Sequence, residues 1–309
     1  MDYKKIIRNR GLRLKILQMF SFVPDSIMLR FQYKIKTGHK LDLRNPQRFS
    51  EKLQWYKLNY KDPSMIKCVD KYDVREYVRS KGLEDILIPC YGVYNSAEEI
   101  EWEALPDQFV IKDTLGVGGN SVIIVRNKKD KDINKIKKSV RVWTSENAHK
   151  KSGGREWPYY SGKNHRIIIE KYIDSDPEKG GLIDYKFFCF NGRPQWMYVI
   201  ADRIVGNDGA FGIYDMSYKK SNVKRDGERS LERDIPKPAE FELMKEIAAR
   251  LSKDFPEARI DLYDSDGKVY FGEITFYSAS GYLKFDPDSF DYELGKLFVL
   301  PRAGRYFER

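Results

Sequence analysis

The chain has 309 residues, of which 14% are aromatic and 33% charged, and its formal net charge is +10. This composition excludes a disordered protein, and the length allows one large domain or two modest ones. The charge is uneven, because residues 1–36 hold nine Lys or Arg against two Asp. We therefore expect a compact globular protein with a basic N-terminal segment.

Cysteine spacing and hydropathy bear on the cellular setting. Cys68, Cys90 and Cys189 are far apart in sequence, which predicts neither a disulfide framework nor a zinc ribbon. The first residues lack the apolar core of a signal peptide, and no stretch approaches the roughly 18 apolar residues of a membrane-spanning helix. We expect a cytoplasmic protein that is neither exported nor integral to a membrane.

Basic and apolar residues are interleaved in the segment 1–36. Such a segment can rest on an anionic membrane surface or grip a polyanion. An amphipathic helix packed on its own domain, with a solvated basic face, has the same pattern. Peripheral contact with the inner face of a membrane therefore stays one of two alternatives, and we do not expect a nucleic-acid partner.

Helical patterns alternate along the chain with short runs rich in β-branched and aromatic residues. In chain order we predict helices and loops over 1–66, a helix from Asp70 to Val78, strands at 87–94, 109–112, 122–125, 167–173, 184–190 and 195–202, a polar irregular stretch over 204–238, a helix over 238–255 and a hairpin over 260–277. Helices with mostly antiparallel strands indicate the α+β class.

A glycine loop follows the strand that ends at Lys112. Its N–H groups can cradle phosphate oxygens, and Lys112 would add a positive charge beside them. The loop lies between strands and lacks Gly-Lys-Ser/Thr, which excludes a Walker A motif and the dinucleotide fingerprint. A flexible hairpin with an ordinary surface lysine remains the alternative. The loop residues are Gly116, Val117, Gly118, Gly119, Asn120 and Ser121.

The strand that begins at Ile167 ends in polar residues. A strand end of this kind can present backbone N–H and C=O groups to a flat heterocycle, while Glu170 accepts from an exocyclic amine.

An Asp266-Gly267 turn signal separates the two strands of the hairpin. If the loop has an odd number of residues, for instance Asp266 to Lys268 with Gly267 left-handed, then Asp261 lies opposite Glu273. Alternation along the strands then places four side chains on the same face as the paired acids: Arg259, Tyr263, Phe271 and Thr275.

Two carboxylates about 4 Å apart repel by roughly 4 kcal/mol in a partly buried site. Because Tyr263 and Phe271 limit solvation of the pair, either one carboxyl is protonated or a cation lies between them. A hard cation such as Mg²⁺ suits oxygen ligands, and no softer cluster of His or Cys is near. The alternative is a hairpin whose acids face solvent.

Four pieces in order resemble the ATP-grasp superfamily: Asp70-Lys71, the Lys112 strand with its glycine loop, the strand end at Glu170, and Arg259 to Asp261 with Glu273 to Thr275. The stretches DKYDVREYV, LPDQFVIK, DYKFFCFNG and FGEITFYSASG resemble the TupA-like branch, named for teichuronopeptide biosynthesis. The similarity covers nearly the whole chain from about Asn45 onward.

The resemblance implies an ATP-grasp fold, in which ATP and Mg²⁺ lie between two α+β subdomains. We expect a helical basic segment over 1–66, an N-subdomain over 67–173 with the phosphate lysines and adenine hinge, and a C-subdomain over 174–309 with the metal and substrate site.

Carried over by position, the resemblance assigns a role to each matching residue. Lys71 and Lys112 become the phosphate lysines, and the loop of Gly116, Gly118, Gly119, Asn120 and Ser121 closes over the triphosphate. Glu170, Lys171, Tyr172 and Ile173 become the adenine hinge, Asp184 the ribose-binding acid, and Lys186 a further ATP-binding residue. Asp261, Glu273 and Thr275 become metal ligands, although Thr275 stands where the superfamily usually has Asn. Arg259 would steady an acyl intermediate. Apart from the resemblance, we take Arg203 and the Ser280-Gly281 turn as candidates for carboxylate and phosphate contacts at the substrate end.

These roles imply an ADP-forming carboxylate–amine ligase whose partners are small or polysaccharide-linked carboxylate and amine substrates of a bacterial surface polysaccharide. Two other classes stay open. A polyanion-binding module would bind in a salt-sensitive way without ATP turnover. A glycosyltransferase of the same pathway would release a nucleoside diphosphate from a nucleotide sugar.

Overall fold

A computed structural model of the protein describes residues 19–117, 121–145, 155–160, 163–174, 181–202 and 209–301. The α-helices are α1 (Asp25–Thr37), α2 (Phe49–Asn59), α3 (Pro63–Val69), α4 (Val74–Ser80), α5 (Ile133–Trp143), α6 (Phe241–Ser252) and α7 (Ser289–Leu297). The strands are β1 (Cys90–Tyr94), β2 (Phe109–Asp113), β3 (Val122–Val125), β4 (Ile167–Lys171), β5 (Ile183–Phe190), β6 (Arg193–Ala201), β7 (Ala210–Asp215), β8 (Lys224–Arg225), β9 (Arg229–Ser230), β10 (Glu257–Ser265), β11 (Lys268–Thr275) and β12 (Phe285–Asp286).

The chain divides into two compact units. The larger unit comprises Met1–Asp62, Lys151–Trp157 and Asp176–Arg309, and the smaller comprises Pro63–Lys150 and Pro158–Ser175. Helices and largely antiparallel sheets in these units confirm the α+β class. The predicted domain boundaries, 1–66, 67–173 and 174–309, stay a prediction. Contacts in the structure group the N-terminal residues with the C-terminal half. Among the described helices, none is long and apolar enough to cross a bilayer.

The smaller unit is built on a four-stranded antiparallel sheet with the strand order β1-β4-β2-β3. Alternate residues of β2 and β4 point to one side, where Ile111 pairs with Ile169. Helix α5 contributes Ile136 and Val140 to the same core. The other side of these strands carries Lys112 and Glu170 beside Ile168 and Val110.

The larger unit contains a six-stranded sheet with the strand order β11-β10-β5-β6-β7-β9. Strand β7 corrects the prediction that residues 204–238 are irregular, because Ala210 to Asp215 pairs along its length with β6. The predicted Asn191-Gly192 turn between β5 and β6 is confirmed, with φ of 49° and 73°. Helix α6 packs against β5, β6 and β10 with Met244, Ile247 and Leu251 buried.

Helix α2 is tied to α7 within the larger unit. Arg48 donates to both carboxylate oxygens of Asp288 at 2.6 and 2.7 Å. Ser50 donates its N–H to Asp291, whose side chain is buried. At Gly295 a Cβ atom would lie 2.1 Å from the Gln47 carbonyl oxygen, so the two backbones approach too closely for a side chain.

Candidate functional site

The β10–β11 hairpin brings Asp261 opposite Glu273, as the sequence predicts. It does so through a two-residue turn and a bulge, and not through a loop with an odd number of residues. The turn has two residues, Asp266 and Gly267, with φ of 52° and 73°. A bulge between Asp261 and Leu262 then shifts the register by one residue. The bulge falls at Gly272, where a Cβ would meet the Asp261 carbonyl oxygen at 2.9 Å.

The same bulge corrects the predicted position of Phe271. Phe271 pairs with Leu262 and is buried with it on the far face of the hairpin. Tyr263 and Tyr270 pair on the near face. The aromatic neighbours of the acids are therefore tyrosines from both strands.

Arg259 lies between the two acids. Its Nε and Nη2 donate to the two oxygens of Asp261 at 2.7 Å each, and Nη2 also lies 3.2 Å from Glu273 Oε1. Nη2 further contacts Thr275 Oγ1 at 3.1 Å, and Nη1 contacts Ser278 Oγ at 3.3 Å. A fork of this kind fixes the guanidinium plane against the carboxylate.

Lys186 and Asp184 complete this group from the neighbouring strand. Lys186 pairs across the sheet with Asp261 and donates to its Oδ2, and it lies 3.3 Å from Asp184. We call Arg259, Asp261, Glu273, Thr275, Lys186 and Asp184 the Asp261 cluster. Its members come from β5, β10 and β11, which are hydrogen-bonded neighbours.

Neighbouring charges keep Asp261 and Arg259 ionised despite their burial. Burial alone would raise the pKa of Asp261, whose side chain is 0% exposed, but Arg259 and Lys186 outweigh it and lower the pKa. Burial alone would lower the pKa of Arg259, which Asp261 and Glu273 instead raise. Glu273 differs from Asp261 because 42% of its side chain is exposed.

The donor set of the cluster fits Mg²⁺. Magnesium in nucleotide sites is held by one or two carboxylates together with phosphate oxygens, and Asp261, Glu273 and the Thr275 hydroxyl could supply ligands of that kind. Of the two carboxylates, Glu273 is exposed, whereas Asp261 already accepts from Arg259 and Lys186. Over the described part of the chain, no group of three or more His, Cys, Asp or Glu side chains is placed to hold a metal.

A strained turn adjoins Arg259. The 3₁₀ segment Ser278–Gly281 carries Ala279 and Ser280 at φ of 48° and 56°, a conformation that costs such residues about 1–3 kcal/mol. Gln54 donates to the Ser280 and Gly281 carbonyls at 3.1 and 2.7 Å. Lys57 donates to the Ser280 carbonyl at 2.7 Å, and the Ser280 hydroxyl donates to Glu156.

The smaller unit places Lys71 against the glycine loop. The Lys71 ammonium donates to the Gly116 carbonyl at 2.5 Å, and its backbone N–H donates to the Thr114 carbonyl at 2.9 Å. Lys71 follows Asp70, which caps the turn by accepting from the N–H groups of Tyr72 and Asp73. Gly118, Gly119 and Asn120 lie outside the described residues, whereas Ser121 is hydrogen-bonded through its carbonyl to Asp113.

Lys112 and Glu170 form an ion pair of 2.7 Å on one face of β2 and β4. Glu170 also lies 3.3 Å from Arg75, which donates to the Ile88 carbonyl at 2.8 Å. The Glu170 carboxylate is thus engaged by two cations. We call Lys71, Lys112, Glu170 and Arg75 the lysine cluster.

Of the other predicted hinge residues, Lys171 and Tyr172 line a cavity, and Ile173 is buried. A cavity of about 670 Å³ opens beside the end of β4 and is lined by Tyr91, Pro106, Asp107, Gln108, Arg126, Asn127, Lys129, Lys171 and Tyr172. The cavity lies at the start of β2, whereas Lys112 is near its end.

Several residues of these clusters carry no signal that the sequence argument used. Arg75 sits in a helical pattern as one more basic residue, and only its burial distinguishes it. Lys57 lies on α2 among its buried residues, and nothing in the sequence marks it as buried. For the strained turn, the only sequence signal is the run of small residues Ser278, Ala279 and Ser280. Arg203 lies outside the described residues.

Comparison with known proteins identifies the family. A profile described as TupA-like ATPgrasp matches residues 51–299. No curated protein matches the sequence.

Similar solved structures include three enzymes. D-alanine–D-alanine ligase from Bacillus anthracis is 22% identical with a TM-score of 0.42, over 68% of this chain and 57% of that one. L-amino acid ligase from Bacillus licheniformis is 16% identical with a TM-score of 0.41, over 70% and 42%. Biotin carboxylase from Campylobacter jejuni is 16% identical with a TM-score of 0.39, over 76% and 47%.

The chain spans about half the length of these three structures. With TM-scores below 0.5 the likenesses carry no weight for function. The family profile, in contrast, covers the Asp261 cluster, the lysine cluster and the strained turn in one continuous match. Since that match extends over more than half of the sequence, the protein belongs to the TupA-like ATP-grasp family.

Proposed function

We propose that the protein is an ATP- and Mg²⁺-dependent carboxylate–amine ligase that forms an amide through an acyl phosphate and releases ADP. The observation that carries the proposal is the Asp261 cluster, in which an arginine, two carboxylates and a hydroxyl converge within the region that matches the family. We further propose that the enzyme joins an amino acid and a sugar acid for a bacterial surface polysaccharide.

The cluster suits an acyl phosphate because it offers fixed positive charge beside carboxylate ligands. Asp261, Glu273 and Thr275 would hold Mg²⁺, which spreads charge on transferred phosphoryl groups when bound. Arg259 keeps its orientation through the Asp261 fork, and its Nη1 is directed at the Ser278 turn. A developing anion near that turn would be stabilised by a guanidinium already in place.

The proposed reaction uses no protein nucleophile. A substrate carboxylate oxygen bonds to the γ-phosphorus as the bond to the ADP oxygen breaks. The amine then bonds to the acyl carbon, phosphate leaves with the former carboxylate oxygen, and the amine loses a proton. In the smaller unit, Lys71 and Lys112 would hold the triphosphate, with Glu170 positioning Lys112 through their ion pair.

The test is ADP release by the purified protein with ATP, Mg²⁺ and a panel of uronic acids and amino acids. Hydroxylamine replaces the amine in a parallel assay, because it traps an acyl phosphate as a hydroxamate. We expect ADP, phosphate and hydroxamate to appear together with the correct acid. Lys112→Ala should lose all three, and Lys138→Ala, which removes an exposed lysine on α5 of the same unit, should retain them.

Other products would contradict the proposal. AMP with pyrophosphate, or a phosphorylated product stable to hydroxylamine, would require a different reaction. A nucleoside diphosphate formed only from a nucleotide sugar would indicate a glycosyltransferase. Salt-sensitive binding of polyanions without turnover of ATP would indicate a binding module.

A further inference from the structure

Exposed apolar side chains are concentrated at the start of the described chain. Of the thirteen large hydrophobic residues that are exposed among those described, six fall between 19 and 35. The most exposed are Phe22 at 80%, Met19 at 73% and Phe31 at 64%. We call Met19, Phe20, Phe22, Ile27, Phe31 and Ile35 the apolar face. The other seven are dispersed from Tyr72 to Val299.

Helix α1 has apolar residues on two sides, but only one of these sides is buried. Leu29 and Tyr33 pack against Leu41 in a small core. Ile27, Phe31 and Ile35 are spaced four residues apart and form a second ridge on the exposed side. Contiguous exposed apolar area of this kind marks an interaction site more often than isolated exposed residues do.

The turn before α1 is held in place by a buried arginine. Arg155 donates to the Phe20 carbonyl at 2.6 Å and to the Ser21 carbonyl at 3.2 Å, and it pairs with Asp25 at 3.1 Å. Only 2% of the Arg155 side chain is exposed. Phe20 and Phe22 are therefore presented by a braced turn, and the ion pair offsets the charge of Asp25.

Positive charge adjoins the apolar face. Arg30 and Lys34 are exposed on α1, each three residues beyond a member of the Ile27–Phe31 ridge. The Arg30 guanidinium donates to the Leu41 carbonyl, and the Lys34 ammonium donates to the Gly38 carbonyl. In sequence, residues 1–36 add a net charge of +7, from nine Lys or Arg against two Asp.

We infer that the apolar face docks the protein on an anionic membrane surface, with Phe22 and Phe31 entering the acyl boundary and the basic residues at the headgroups. An apolar face bordered by Lys and Arg is the pattern of interfacial helices. A second copy of the chain, or residues 1–18, would instead bring a basic segment against a basic surface. This inference is independent of the ligase proposal.

Co-sedimentation of the full chain with vesicles tests the inference. We expect binding to phosphatidylcholine vesicles that contain phosphatidylglycerol, weakening with added salt, and little binding to phosphatidylcholine alone. The Phe22→Ser/Phe31→Ser variant should lower the partition coefficient by about tenfold or more. Arg30→Gln/Lys34→Gln should lower it by roughly fivefold per residue.

Matched controls change the same residue types elsewhere. Val142→Ser/Val299→Ser removes exposed apolar side chains, and Lys129→Gln/Lys131→Gln removes exposed charges; both should bind as the wild type does. Equal binding to neutral vesicles, wild-type binding by the Phe22/Phe31 variant, or no binding at all would overturn the inference. A further outcome would also overturn it: a wild-type dimer in sedimentation velocity that the Phe22/Phe31 variant loses, with no vesicle binding by either protein. That result would assign the apolar face to a second copy of the chain.

Discussion

At the scale of single residues, Arg259 is the cation that lies between Asp261 and Glu273. The sequence argument required either a proton or a cation there, and it favoured Mg²⁺. The guanidinium contacts both acids at 2.7 and 3.2 Å, which relieves their repulsion within the protein itself. The two acids nevertheless differ in exposure, 0% for Asp261 and 42% for Glu273 by side chain. Their replacement should therefore separate folding from catalysis.

Glu273→Gln is expected to fold normally and to lose ATP-dependent turnover by orders of magnitude. The exposed carboxylate contributes about 1 kcal/mol or less to stability, but its charge is needed in its proposed role as a metal ligand. Asp261→Asn should instead unfold more easily by about 3–5 kcal/mol, because Arg259 and Lys186 would be left buried without their partner. Urea denaturation and ADP release on both variants check this. Near-normal turnover in folded Glu273→Gln would remove it from the proposed site.

Lys57 should give the larger unit a distinctive pH dependence. Burial lowers the pKa of Lys57 to about 7 from its usual 10.5, although Glu156 acts in the other direction. Between these values the unfolded chain binds the proton and the folded chain does not, so stability rises with pH. Below about 7 both states are protonated and the penalty is fully present.

The comparison is between the wild type and Lys57→Met, whose folded state has no such proton to lose. From pH 7 to 9, the unfolding free energy of the wild type should gain on that of the variant by about 1.4 kcal/mol per pH unit. Lys296→Met, at an exposed position on α7, should track the wild type. A pH-independent difference for Lys57→Met would mean that the ammonium remains charged.

At the scale of elements, the hairpin depends on Gly272. The two-residue turn alone would pair Asp261 with Gly272. The bulge at Gly272 shifts the register by one residue, so that Asp261 pairs with Glu273. Gly272→Ala would place a methyl group 2.9 Å from the Asp261 carbonyl oxygen and 3.1 Å from the Tyr263 ring. We expect a loss of about 1–3 kcal/mol in unfolding free energy, with reduced ATP turnover.

Gly267→Asn is the control for this change. Gly267 has φ of 73°, which Asn tolerates, and open space around its Cβ position. Its stability should stay within about 0.5 kcal/mol of the wild type. If Gly272→Ala is equally mild, the register does not depend on the bulge.

Local patterns identified most elements but could not supply the bulge or β7. Asp266-Gly267 predicts a hairpin, but the sequence pattern does not show whether Gly272 continues the ladder or is left unpaired in a bulge. Phe271 was for that reason assigned to the wrong face. Strand β7 was missed because Ala210 to Asp215 is a short apolar run between polar stretches, and its partner β6 was already paired with β5 in the predicted hairpin.

At the scale of the whole molecule, α2 belongs to the same unit as α7, more than 200 residues later. Gly295 lets the two helices touch, since its Cβ position lies 2.1 Å from the Gln47 carbonyl oxygen and 3.0 Å from the Phe49 nitrogen. Gly to Ala within a helix ordinarily stabilises by about 1 kcal/mol. Gly295→Ala should instead destabilise by about 3 kcal/mol or more.

Thermal and urea unfolding of Gly295→Ala measure whether the substitution lowers the unfolding free energy, where Gly to Ala in a helix usually raises it. Glu293→Ala, at an exposed position of α7, is the matched control and should stay within about 0.5 kcal/mol of the wild type. A stabilised Gly295→Ala would show that α2 can separate from α7 at little cost.

The order of motifs predicted the family, but the grouping of distant segments did not follow from it. Lys71, Lys112 and Glu170 were assigned by position, and the structure brings Lys112 and Glu170 into contact across β2 and β4. Within the larger unit, pairs such as Arg48 with Asp288 and Ser50 with Asp291 join the described residues 19–62 to the C-terminal half. Such long-range pairs are ordinary charged or polar residues in sequence.

Arg259 and Lys186 give the Asp261 cluster an internal set of counterions, and this has a consequence for how the protein tolerates changing metal supply. Small domains whose folding free energy comes from metal–ligand bonds, such as zinc fingers, fold only with the ion. Here the buried carboxylate is already neutralised by side chains of its own sheet. We expect chelation by EDTA to leave the unfolding midpoint unchanged while stopping ATP turnover, so that a chain made during magnesium shortage would persist intact and resume work when the ion returned.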